Sequence, residues 1–142
     1  MKEFTLSEEC PTIGHQFHLT DGDAYRSNRT LVVSFTGQYR DGSDGNPDAA
    51  YMRAIVGLGC DLWWHRGLVI DLSALQYDWG DMIDSAFDHP SNFPVAIVVG
   101  PLSARALATL WYGEDTDRLA TEQEGVFDSL QDAIAYVQPR EG

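Results

Sequence analysis

Basic residues are scarce in this chain. Nine Lys and Arg stand against 22 Asp and Glu in 142 residues, a formal net charge of -13. A field of that sign repels nucleic-acid phosphates and anionic lipid and attracts basic surfaces, so nucleic acid and membrane are not expected partners. Long apolar runs are missing too: no window approaches the ~18 residues that a membrane span needs. The opening MKEFTLSEECPTIGH has no apolar core of the kind a secretory leader carries. Cysteine is nearly absent, with only Cys10 and Cys60, which excludes a disulfide framework and suits reduced thiols in a cytoplasmic setting. Absent as well are G-x-G-x-x-G, G-x-x-x-x-G-K-[ST] and G-x-S-x-G, so neither nucleotide binding nor an esterase-type nucleophile has a motif behind it.

What is present is an ordinary globular composition, 44% hydrophobic and 22% charged, in a length that suits one domain with its own core. The stretch from Gly67 to Asp84, GLVIDLSALQYDWGDMID, organises the rest. Leu68-Val69-Ile70 reads as a strand buried on both faces, and Leu75 and Tyr77 continue it at alternate positions. Asp78-Trp79-Gly80-Asp81 then turns into a short helical pattern of Met82, Ile83, Ala86 and Phe87. Thr30 to Gly37 is a second core strand, rich in β-branched residues. Val95 to Gly100 is a third.

Between the first two core strands, Asn46-Pro47-Asp48 fits a helix start, with Asn as cap, Pro in the first turn and Asp favoured by the dipole. The helix is expected to run to about Trp63 with Ala50, Ala54, Leu58 and Leu62 along its buried stripe, although Gly57 and Gly59 weaken it by roughly 1 kcal/mol each. Ser103 is expected to cap a helix of Ala104 to Tyr112 that Gly113 ends. Leu119 to Gly125 reads as a polar edge strand, through which a homodimer could form. Asp128 or Ser129 caps a last helix that Pro139 stops. Before residue 30, Phe4/Leu6 and Phe17/Leu19 alternate as two short strands around Cys10-Pro11, and Asp21-Gly22-Asp23 reads as a turn. The expectation is a single α/β domain over 1–142: an N-terminal β region in 1–29, then a largely parallel central sheet with about four helices.

Three segments carry a resemblance to the STAS family, the fold of anti-sigma-factor antagonists, over residues 30–138. Val69 to Tyr77, VIDLSALQY, resembles that family's strand hDLSxLxx. Val95 to Pro101 with the helix ending at Gly113 resembles its next strand–helix unit. Val126 to Ala133, VFDSLQDA, resembles its closing hFxSLxxA segment. The resemblance implies the fold and a tendency to bind other proteins around the turn after the central strand. Antagonists of the family carry a phosphorylatable Ser in an Asp-Ser-Ser-Gly turn. Here the chain reads Asp78-Trp79-Gly80-Asp81, Gly80 and Asp81 align with the two serines, and the phospho-switch does not carry over.

Other chemistry is weakly supported. Cys10, His15 and His18 have C-x4-H-x2-H spacing but lack the paired cysteines of structural zinc sites, so no metal is expected. Asp41-Gly-Ser43-Asp-Gly45 opens like a calcium loop and then departs from it at Asn46 and Met52. His65 and His89 read as surface loop residues. Asp71 fits a backbone-bonding role better than an acid or base. Aromatic and acidic residues are more telling, because Tyr and Trp dominate interface hot spots. Tyr39, Tyr77 and Trp79, with Gly80 and ringed by Asp41, Asp44, Asp78 and Asp81, form the expected partner-binding face. The function expected is a non-enzymatic, cofactor-free domain that antagonises or sequesters a protein with a basic surface, whether a signalling regulator or a toxin that this chain would neutralise as an immunity protein. The alternative is a ligand-binding or catalytic pocket at the carboxyl ends of the parallel strands, around Asp71, Gly80 and Gly100.

Overall fold

The computed structural model describes residues 1–20, 29–89 and 92–138. The turn expected at residues 21–23, part of the loop 89–92 and the stop at Pro139 lie outside them. Strands β1 (Ile13–Leu19), β2 (Thr30–Gln38), β3 (Gly67–Gln76), β4 (Val95–Val98) and β5 (Val126–Phe127) form one sheet in the order β1-β2-β3-β4-β5. β1 is antiparallel to β2 and every other pair is parallel. The α-helices are α1 (Leu6–Glu9), α2 (Asn46–Leu62), α3 (Ala104–Tyr112) and α4 (Leu130–Val137), with 3-10 turns at Gly42–Gly45, Asp81–Ala86 and Ala120–Glu122. This is an α/β fold with a mixed, largely parallel sheet, compatible with the STAS-like arrangement.

The sheet is covered unequally. On one face Leu31, Val33 and Phe35 of β2 and Leu68, Ile70 and Leu72 of β3 meet Met52, Ile55 and Val56 of α2, Ile83 and Leu107, making the main core. On the other, Val32, Val69, Ala96 and Val98 meet Ala133 and Val137 of α4, with Phe127 and Ile134 packed against them at the margin. Two-sided burial explains why the central strands read as continuous apolar runs. A bulge interrupts β3: Ser34 pairs with Asp71, but Thr36 pairs with Ala74. The extra residue shifts the alternation by one, so Leu72, Leu75 and Tyr77 all point into the same core. Asp71 stabilises the bulge by accepting the Ser73 N–H at 2.9 Å and the Ser34 hydroxyl at 3.5 Å. That is the structural role expected of it.

Several expectations need correction. Asn46 is the first residue of α2 behind Gly45, not its cap. Leu6–Glu9 is a single helical turn closed by Cys10 N–H on the Leu6 carbonyl, not a strand, and Cys10, kept out of helical backbone by the following Pro11, ends it. β1 instead forms its hairpin with β2. The buried stripe of α2 is Asp48, Ala49, Met52, Ile55, Val56 and Gly59. Ala50, Ala54, Leu58 and Leu62 face outward. Residues 119–125 are not a strand: Glu122 reaches back to the Leu119 N–H and winds Ala120–Glu122 into a 3-10 turn, so the sheet edge is the two-residue β5. His65 is buried at 8% exposure, its Nδ1 2.7 Å from the Trp63 carbonyl and its ring edge-on to Phe93. Of the adjacent tryptophans, Trp63 packs on Phe17 at 5.0 Å between ring centres and Trp64 is exposed.

Candidate functional site

The site is built where β2 and β3 end side by side. Tyr39 N–H bonds the Gln76 carbonyl at 2.8 Å, carrying the pairing one residue beyond the strands. Both tyrosines turn inward. Tyr39 is fully buried, Tyr77 is nearly so, and their rings meet edge-on at 5.3 Å. The Tyr77 hydroxyl donates to the Gly80 carbonyl at 2.7 Å and pins the turn from below. Burial raises both phenols, Tyr39 to about 12 and Tyr77 further still, and the nearby Asp48 and Asp81 charges add to the shift at Tyr39. The Tyr77 hydroxyl therefore keeps its donor proton at neutral pH. Tyr39, Tyr77 and Gly80, expected on the binding face, are its foundation instead: bulky aromatics at strand ends are drawn under the turn by the apolar area they bury.

The surface above them is made of the remaining residues. Trp79 is 62% exposed, and Asp41, Asp44, Asp78 and Asp81 are all exposed. Trp79 is nonetheless held. Its backbone carbonyl accepts the Gly42 N–H at 3.2 Å, and its ring lies over Gly42 so closely that a Cβ there would sit 2.5 Å from the ring. Gly42 also has φ +59°, a left-handed conformation that favours glycine. Met82 and Leu102 add exposed apolar area from the adjoining segments. Leu102 is tied in by its carbonyl, which accepts the Tyr77 N–H at 2.9 Å. Asp78 accepts a bond from Gln76 Nε2 at 3.3 Å. Among the described residues, none of the four carboxylates is ion-paired with a cation.

The guanidinium of Arg40, next to Asp41 in the chain, is already engaged. Arg40 grips Asp48 with Nη2 at 2.7 Å and Nε at 3.2 Å, and its own N–H meets the same carboxylate at 2.9 Å. Arg40 Nη2 also reaches the Glu9 carbonyl at 2.8 Å and so ties α1 to the start of α2. Asp48 is completely buried. Burial alone would raise its pKa, but the bonds from Arg40 and from the Cys10 thiol outweigh that and hold it below the usual carboxylate range. Cys10 is pushed up to about 12, by burial first and then by donating to Asp48. This latch was missed in the sequence, where Asp48 reads as a first-turn dipole partner. Its one legible trace is an acidic residue on the apolar stripe defined by Ala49, Met52 and Val56.

The Cys10, His15 and His18 pattern does not assemble, since Cys10 faces Asp48 while His15 bonds the Tyr51 hydroxyl. Among the described residues no group of three His, Cys, Asp or Glu side chains is placed to hold a metal ion. Among them, too, no helix is long and apolar enough to cross a membrane. No family model and no curated protein sequence matches the chain.

Proposed function

We propose that this protein is a non-enzymatic interaction domain, with a STAS-like fold, that antagonises or sequesters a partner with a basic surface. The observation that carries this reading is a rigidly seated, exposed Trp79 in the midst of four carboxylates that no described cation neutralises. An aromatic anchor already ordered in the free protein loses little entropy on binding. The surrounding negative charge steers a basic partner and raises its association rate by ~10 to 1,000-fold, an effect that salt weakens. The order of strands and helices, and the position of this turn after β3, support the resemblance to antagonists that bind through the same turn. Whether the partner is a regulator or a toxin, the contact surface is the same.

The test is capture from native lysate at low and high salt with wild-type protein and with the double variant Trp79→Ala/Asp81→Ala. A basic partner should be held at low salt and lost at high salt. The double variant should weaken binding by ~30-fold or more, the equivalent of about 2 kcal/mol for a hot-spot aromatic. Binding that survives both high salt and the double variant would sink the proposal.

A further inference from the structure

We infer that a cleft between the β3 bulge and the carboxyl ends of β4 and β5 binds a small organic anion with an apolar body. The cleft has a volume of about 520 Å³, within the range of ordinary ligand sites. Ser73 lines it from within the β3 bulge, Gly100 and Pro101 follow β4, and Asp128 follows β5. In open α/β sheets this is where ligands gather, because the loops leaving parallel strands diverge there. It shares none of its lining residues with the acidic face, so the two readings stand or fall separately.

The cleft is preformed by specific contacts. Gly100 passes so close to β3 that a Cβ would lie 2.1 Å from the Ser73 carbonyl oxygen. The Gly100 N–H donates to Ser103 Oγ at 3.2 Å, and that hydroxyl reaches the Leu72 carbonyl at 3.4 Å. Committed there, Ser103 makes no side-chain cap on α3, and the positive end of the helix is left without a counter-group from that side chain. The opposite wall is residues 117–121. Arg105 anchors the segment before it through the Thr116 carbonyl at 2.8 Å, and the Arg118 guanidinium lies 4.1 Å above the Tyr112 ring.

Charge decides the ligand class. Two of the chain's nine Lys and Arg, Arg105 and Arg118, line this one cleft. Asp117 and Asp128 line it as well, so its formal charges balance in a protein of net -13, and the amino end of α3 adds a fixed partial positive charge to that balance. Among the described residues Arg118 makes one ion pair, with Glu122 at 4.0 Å and both side chains about half exposed, a pairing worth little. Most of its donors remain for a carboxylate or phosphate. Val99, Ala104, Ala108 and Leu119 offer the apolar wall.

The test uses benzoate, phenyl phosphate and, as a cationic control of the same size, benzylamine, titrated at constant ionic strength and read by melting temperature and ligand-observed NMR. At least one anion should give a saturable rise in melting temperature, and the better of the two identifies the headgroup. Benzylamine should give none. Arg118→Glu, an exposed change that leaves the core alone, should weaken the anion by about tenfold or more. Ala104→Leu, which fills the cleft, should abolish binding while circular dichroism reports an intact fold. No saturable effect from either anion, an equal effect from benzylamine, or unchanged affinity in a folded Arg118→Glu protein overturns the inference.

Discussion

Asp48 and Arg40 form a buried carboxylate held by a guanidinium that is a third exposed. Removing Arg40 leaves a charge stranded in the core next to Cys10, and Arg40→Ala should cost about 3 kcal/mol in urea unfolding, the lower end for a broken buried pair because Arg40 reaches solvent. The same pair predicts a pH dependence. The folded pKa of Asp48 lies below its unfolded value, so its contribution is fully present above the unfolded pKa of ~3.9 and is lost as pH falls through the lower, folded value. Asp48→Asn should flatten the acid limb of a stability–pH curve, and an unchanged limb would show that other carboxylates dominate it. Residue identity alone did not reveal this pair. The arginine is eight positions away in sequence, and only the 3-10 turn at Gly42–Gly45 folds one back onto the other. Exposed Asp41, Asp44, Asp78, Trp79 and Asp81 were legible as surface because they sit in a Gly-rich loop and a turn. Tyr39 and Tyr77 were not, since a tyrosine at a strand end suits either side of a turn until its neighbours are known.

At the scale of elements, α2 shows what periodicity can and cannot decide. Ala50, Ala54, Leu58 and Leu62 recur at i+4 as well as any core stripe, yet the true stripe runs through Met52, Ile55 and Val56. Small alanines made the outward face look apolar, and Asp48 made the inward one look polar. The two glycines of this helix now separate. Gly57 has open space where a Cβ would stand, so Gly57→Ala should stabilise the fold by about 0.5–1 kcal/mol. At Gly59 a Cβ would come within 2.7 Å of the Phe17 ring, so Gly59→Ala should destabilise it. Thermal unfolding of both variants checks the pair, and equal shifts would mean the packing of β1 on α2 is wrong. The bulge in β3 and the 3-10 turn at Ala120–Glu122 are likewise products of pairing and backbone bonding, which alternation of side chains does not encode.

For the whole molecule the dominant quantity is charge. With -13 spread over the chain and only two ion pairs among the described residues, self-repulsion opposes the compact state. Raising NaCl from ~0.01 to ~0.3 M shortens the screening length severalfold and should raise the melting temperature by a few degrees, about 1 kcal/mol. A falling melting temperature would mean that attractive pairs outweigh repulsion. Charge, the βαβ alternation and the buried runs in β2, β3 and β4 were determined by sequence alone, because composition and hydrophobic continuity survive without knowledge of neighbours. Which face of α2 turns inward, which aromatics lie beneath the turn, and how Arg40 meets Asp48 were decided only in the tertiary structure. Each depends on a contact between segments that loop closure and packing bring together.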